Sequence, residues 1–297
     1  MTKRVYTALA VLLVAIAGVI AWQVLRPQER EPVYQGKRLA FWLYAAYSGH
    51  GRNGEGAEEA VRQAGTNAIP TLLRMLRAKD SALRVKATEL ARRQHLIDIE
   101  FTHAEGWNDA AVMGFHLLGS KAQSAVPALI EIANQNISSP SRNDAICALG
   151  MVGPSAKDAL PSLLQWTTNA DWKARLYSIG SLYEIGAEPD RVMPVLMSAL
   201  HDPNQMVQSK AVWALGEYGP KAKIAVPALV ESWNSSNGFP VRSELVRAVE
   251  KIDPEAAATN AAIKTWRKAE RGARFGLRRA GAGADQREDG DHSGSPR

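Results

Sequence analysis

Apolar residues recur along this chain in two alternating helical stripes. One stripe follows each of five glycines: Ile69, Leu72, Leu73, Leu76; Val126, Leu129, Ile130, Ala133; Leu160, Leu163, Leu164; Met193, Leu196, Met197, Leu200; and Val226, Leu229, Val230, Trp233. The spacing i, i+3, i+4, i+7 predicts a helix with one buried face. A second stripe precedes each turn: Val112, Phe115, Leu118; Ile146, Leu149, Val152; Ile179, Leu182, Ile185; Val212, Leu215, Tyr218; and Val246, Val249, Ile252. Its spacing is also helical, so each unit reads as two helices.

Punctuation between the stripes is regular. The glycines are Gly65, Gly119, Gly153, Gly186 and Gly219, and the prolines that follow them are Pro70, Pro127, Pro161, Pro194 and Pro227. From the second unit onward both sets are spaced 34, 33 and 33 residues apart, which marks a stacked repeat. Glycine closes the first helix, where a tight turn calls for the left-handed conformation. Proline opens the second, where its missing N–H matters least. Asn169-Ala170-Asp171 and Asp202-Pro203-Asn204 supply capping and turn chemistry before the next unit.

The stretch from Asp202 to Gly219, with Val207, Ala211, Ala214, Leu215 and Gly216 at its core positions, resembles the HEAT-repeat consensus. It is similar in particular to the short HEAT-like repeats also found in phycobilisome bilin lyases. One departure is Gln208, where that consensus places Arg after Val. The resemblance covers roughly residues 55–256 and implies an all-α, right-handed α-solenoid, a superhelix of helical hairpins. It says little about activity, because this scaffold carries many functions.

The array has irregular parts. Pro70 and Pro127 are 57 residues apart, which leaves an insertion over 78–102 with an extra helix, Ser81 to His95, and a linker, Leu96 to Thr102. The first unit begins with a helix over Gly56 to Ala64 that carries Glu58 where later units have Val or Ile, as a capping repeat requires. Ahead of it, residues 31–54 form an aromatic linker and a cap helix, Leu39 to Tyr47. The repeat region is expected over 55–270, closing with a helix from Glu255 to Glu270. Residues 271–297 are rich in Gly, Arg, Asp and Ser, lack large apolar residues after Leu277, and read as a disordered tail.

Residues 1–30 predict a signal anchor. Val5 to Leu25 is uncharged for 21 residues, follows Lys3-Arg4 and precedes Arg26; at about 1.5 Å per residue this suits one transmembrane helix. The alternative is a cleaved signal peptide, with Ala15-Ile-Ala17 or Val19-Ile-Ala21 as its cleavage site. Lys3 and Arg4 favour a cytoplasmic N-terminus. The expected location is a single pass through a bacterial inner membrane, with the repeats on the periplasmic side; cleavage would release them as a secreted or periplasmic protein. The one cysteine, Cys147, excludes an intrachain disulfide.

A net charge of +6 suggests a nucleic-acid partner until it is partitioned. Residues 1–31 hold four bases and two acids, residues 264–297 nine and five, and residues 32–263 hold 23 of each. The repeat region is neutral, without the run of bases that tracking phosphates requires, so no nucleic acid is expected. Within it, residues 98–190 carry eleven acids and five bases. There is no phosphate loop, nucleophile elbow, dinucleotide fingerprint or metalloprotease helix, and no small-molecule substrate is identified. No His-Glu pair recurs at matched positions, as it does in the di-iron HEAT enzyme deoxyhypusine hydroxylase. His95 and His103, with Asp98, Glu100 and Glu105, are the one place where a metal site is conceivable; the expectation is no metal and no cofactor.

The reading is therefore a non-catalytic scaffold that binds protein partners at the cell envelope, held to the membrane by residues 5–25. Trp172, Trp213, Phe41 and Trp42 are the candidate partner-binding residues, because large aromatics are common anchors at interfaces. Two alternatives are an enzyme with its site at 78–102 and a nucleic-acid-binding solenoid.

Overall fold

The computed structural model describes residues 31–48, 53–81, 85, 103–235, 239–261 and 263–265. The chain divides into two compact bodies, Met1–Leu118 and Gly119–Arg297. No helix among the described residues is long and apolar enough to cross a membrane. The predicted span 5–25, the helix to His95, the linker after it and the tail lie outside the described residues.

The first body opens with a small hairpin, β1 (Val33–Tyr34) and β2 (Lys37–Arg38), paired antiparallel with Tyr34 opposite Lys37. Gln35 and Gly36 form its tip with φ of 48° and 74°, the left-handed pair that suits a two-residue turn between twisted strands. Then come α1 (Leu39–Tyr47), α2 (Asn53–Ala64), α3 (Ile69–Leu76) and α4 (Ala104–Leu118). Helix α1 packs on α2 and α4 through Leu39, Leu43 and Ala45. The preceding segment is not a free linker. Glu31 accepts from the backbone N–H of Ala40 at 2.7 Å and from Arg74 of α3 at 2.8 Å, so the hairpin is tied to the helices behind it. Helix α2 begins three residues before the predicted Gly56.

The second body holds α5 (Val126–Gln135), α6 (Ser139–Val152), α7 (Leu160–Trp166), α8 (Trp172–Glu184), α9 (Pro189–Ala199), α10 (Gln205–Tyr218), α11 (Val226–Ser235), α12 (Phe239–Ile252) and α13 (Pro254–Thr259). The first helices of successive units, α6, α8, α10 and α12, pack side by side. The second helices α5, α7, α9 and α11 each pack on the first helix that follows. Apolar side chains between these two layers make the core.

All five glycines have positive φ, from 51° to 71°. At Gly153 and Gly219 ψ is −147° and −137°, a region essentially closed to residues with a Cβ. Four of the five units continue into a 3₁₀ turn, as over Gly119–Ala125, Gly153–Ala159 and Gly219–Ala225. There the alanines, such as Ala156, Ala159, Ala222 and Ala225, are wholly buried, which is why the stretch between Gly and Pro is small-residue rich. Proline lies within the first two residues of α3, α5, α7 and α11. The fourth unit differs: α9 starts at Pro189, which places Pro194 inside the helix rather than at its start.

The predicted stripe that follows each glycine needs one adjustment. Leu72, Leu129, Leu163, Leu196 and Leu229 are buried in every unit, whereas the next column, Leu73, Ile130, Leu164, Met197 and Val230, is half-buried in every unit. Met75, Ile132 and Trp166 take the buried positions instead, because the face turned to the neighbouring helix is centred a residue or two further round. The predicted closing helix, Glu255 to Glu270, is interrupted at Asn260, and its last residues, 266–270, lie outside the described residues. Helix α13 ends at Asn260, which turns extended (ψ 123°) and uses its side-chain oxygen to accept from Ile263 N at 3.2 Å, starting a new helical turn.

Arginine-aspartate pairs link successive units. Arg142 donates to Asn136 and to Asp171 of the next unit, and Arg175 holds Asp202 of the next unit with two bonds of 2.7 Å. Asp171 also caps α8 by accepting from Lys173 N, and Asn204 caps α10 through Met206 N. At Gln208 the series changes: its amide donates back to the carbonyl of Asp202 at 2.6 Å, within its own unit. Burial works to raise the Asp171 and Asp202 carboxyls, but hydrogen bonds and the facing guanidinium outweigh it and hold both below the ordinary value. For Asp171 those bonds come from Asn143, Lys173 N and Arg142, and for Asp202 from Arg175 and Asn204 N.

Candidate functional site

The layer of first helices carries a cleft of about 470 Å³, lined by residues of those helices. Its lining comes from α6 (Cys147, Met151), α8 (Leu176, Tyr177, Glu184), α10 (Met206, Lys210, Trp213) and α12 (Glu244). The helix-to-helix contacts explain its position. Gly150 of α6 lies so close to α8 that a Cβ there would stand 3.1 Å from the Cα of Ser181. Gly216 of α10 meets α12 in the same way, 3.2 Å from the Cα of Ala248. The matching position of α8 is Tyr183, three residues before Gly186, so a phenol ring stands where the neighbouring junctions have glycine. Junctions α6/α8 and α10/α12 therefore close tightly, and the α8/α10 junction carries an aromatic wedge. Across α6/α8, Ser181 Oγ also donates to the carbonyl of Ile146 at 2.8 Å.

Tyr183 supports the wall of the cleft. Its ring meets Trp213 edge-on at 5.0 Å and Tyr218 at 5.7 Å. Tyr218 in turn donates to the carbonyl of Ala187 at 3.0 Å, and burial, with the neighbouring Tyr183, pushes its phenol up to about 12. Lys210 lies along the other side, its Nζ 4.3 Å from the Trp213 ring centroid. Gly180 leaves room for that lysine, since a Cβ there would sit 3.8 Å from its chain. Glu244 contributes a buried carboxylate oxygen that accepts no hydrogen bond among the described residues. The site is an apolar and aromatic wall with two carboxylates and one ammonium at its margins. It offers surface for recognition.

Of the residues singled out in the sequence, Trp213 lines this cleft. Trp172 opens α8 half-buried, next to the capping Asp171, and is not part of the lining. Phe41 and Trp42 belong to the first body. Trp42 is used internally: its indole N–H donates to the Tyr34 carbonyl at 3.0 Å, and its ring covers Gly56, where a Cβ would come within 2.5 Å. Phe41 is 43 % exposed, with Lys37 Nζ 4.2 Å above its ring. Tyr177, Tyr183, Lys210, Glu184 and Glu244 were not singled out from sequence. Counting back from each turn, Asp144, Tyr177, Lys210 and Glu244 share one register, a column whose chemistry changes at every unit while the core columns keep theirs. That variation is the signal that marks an outward face.

The insertion is anchored where it leaves and returns. Both carboxylate oxygens of Asp80 accept from Ala104 N, at 3.1 and 3.2 Å, and His103 Nδ1 lies 3.5 Å from the same carboxylate. His95 lies outside the described residues. Among the described residues no group of three or more His, Cys, Asp or Glu is placed to hold a metal ion.

Residues 160–250 match the family model described as HEAT repeats, the span from α7 to α12. No curated protein matches the chain. Among solved structures, the crystal structure of an engineered protein from the Northeast Structural Genomics Consortium is 19 % identical, with a TM-score of 0.37, over 73 % of this chain and 96 % of that one. The repeated helical pairs, their glycine turns and the family match agree that residues 160–250 are built of HEAT repeats.

Proposed function

We propose that this chain is a non-catalytic HEAT-repeat scaffold that binds a protein partner through the cleft of α6, α8, α10 and α12, at the envelope of a bacterial cell. HEAT repeats commonly serve as protein-interaction scaffolds, and the observation that carries the assignment to this surface is the cleft itself. Trp213, Tyr177, Met151 and Met206 converge there, with Met206 58 % exposed, on a face whose residues vary from unit to unit. Aromatic and methionine side chains are enriched in the buried centres of protein interfaces, which suits these residues as anchors. The envelope location rests on the uncharged run 5–25 with Lys3 and Arg4 before it.

Site-specific photocrosslinking in intact cells tests the binding surface. A crosslinker at position 206 should capture a defined partner, and Trp213→Ala should abolish the capture. A crosslinker at Ile224, 71 % exposed in a 3₁₀ turn, should not capture that partner. Equal capture from both positions would refute the assignment. A C-terminal reporter active only outside the cytoplasm should be active; activity of a cytoplasm-only reporter would refute the envelope location.

A further inference from the structure

We infer that the cleft recognises an extended peptide segment carrying a basic side chain, Lys or Arg; this rests on the partner-binding reading above and specifies its chemistry. One carboxylate oxygen of Glu244, buried and without a hydrogen-bond donor among the described residues, is the first support. A carboxylate taken from water without donors is costly, and an incoming ammonium or guanidinium removes that cost. Glu184, exposed, adds a second carboxylate to the same lining.

Trp213 supplies the second support. Its ring already carries the Lys210 ammonium at 4.3 Å, within the range at which a cation is held by an aromatic face. Tyr177 adds another ring to the lining. The cleft's charged residues, Glu184, Glu244 and Lys210, sum to one negative charge. Lys210 is thus the internal competitor of a basic ligand.

Dimensions select a peptide over a small cation. The lining crosses four helices, so it spans three interhelical distances of about 8–10 Å, or about 24–30 Å. An extended chain at about 3.3 Å per residue covers that span with seven to nine residues.

The test pans a phage-displayed library of random nonamers on the full chain and measures the selected peptides by fluorescence anisotropy. Cys147, the chain's single cysteine, lies in the cleft wall, so protection from a maleimide reports occupancy. Selected peptides should carry Lys or Arg at one enriched position, and citrulline in place of Arg should weaken binding about tenfold or more. Glu244→Gln, which keeps shape and removes charge, should weaken binding by a similar factor, and Lys210→Met should tighten it. Selection of peptides without a basic residue overturns the inference, as does weaker binding to Lys210→Met, the sign expected of an acidic ligand; either result leaves the cleft as a partner site. If no selected peptide protects Cys147, the inference and the partner-binding reading both fall.

Discussion

The Arg175–Asp202 pair is a bidentate, nearly buried link between successive units, and breaking it gives a quantitative test of how the array is held together. Both side chains are nearly buried, at 12 % and 8 % exposure, and two 2.7 Å bonds join them in a bidentate geometry. Arg175 also donates to the carbonyls of Asn169 and Ala170. Arg175→Met removes these donors and leaves the Asp202 charge without its counter-ion. Breaking such a pair from one side costs about 3–5 kcal/mol. With an m value of about 3 kcal/mol/M in urea, the midpoint should fall by about 1–1.7 M. Asp202→Asn alone should cost less, because the amide oxygen still accepts from Asn204 N and from Arg175, which keeps its bonds to the carbonyls of Asn169 and Ala170 although it loses its counter-ion. The double variant should be more stable than the sum of the single losses implies, with a coupling of about 1–3 kcal/mol. Far-UV circular dichroism over a urea series provides the measurement, with hydrogen exchange at α8 and α10 locating the loss. Acid provides a second arm. Because the folded Asp202 carboxyl lies below its unfolded value of 3.8, its contribution is complete above that pH and disappears as pH falls through the folded value. Asp202→Asn should flatten that part of the acid profile. A coupling below about 0.5 kcal/mol would refute the view that this bridge holds the units together.

Three further outcomes follow from local geometry. Gly219→Ala places a Cβ on a backbone at φ 56°, ψ −137° and should cost about 1–3 kcal/mol, read as a lower thermal midpoint, whereas Gly36→Asn at the exposed hairpin tip should cost less than half as much. Tyr218 and Tyr47 should each ionise near 12 in an ultraviolet titration, read as signal lost from that range in Tyr218→Phe and Tyr47→Phe. Tyr47 is held up chiefly by its 2.7 Å bond to Asp109, Tyr218 chiefly by burial. Both folded values lie above the unfolded 10, so stability should be complete below pH 10 and decline as pH rises toward 12, and Tyr218→Phe should remove part of that decline. Gly56→Ala drives a methyl into the Trp42 ring and should displace the hairpin, seen as a changed Trp42 side-chain N–H resonance against an unchanged second body.

Much of the fold is written in local chemistry. A glycine needed at positive φ, a proline tolerated in a helix's first turn and apolar residues at helical spacing are all short-range constraints. They are visible without knowing what the helices touch, so the helical pairs and their period could be read from the chain. Where the constraint is long-range, the sequence was silent or misleading. Leu73 and Ile130 look like core by spacing, yet their exposure depends on the angle at which the next helix arrives, and that angle is set by side chains tens of residues away. The hairpin at Val33–Arg38 was missed because two residues per strand leave no alternation to detect.

The candidate site divides the same way. Trp213 was legible as an unusual residue in an outward column. What makes it part of a site is the company of Tyr183, Lys210, Tyr177 and Glu244, which lie on three different helices and are 6 to 67 residues apart from one another. Trp42 shows the converse, a candidate aromatic on the cap helix whose ring covers Gly56 and whose indole N–H donates to the Tyr34 carbonyl. By itself the sequence determined the repeating helical pair and its turns, because those are properties of neighbouring residues. Only the tertiary structure decided where the helix layer opens, because a wedge such as Tyr183 acts through the helix it pushes against.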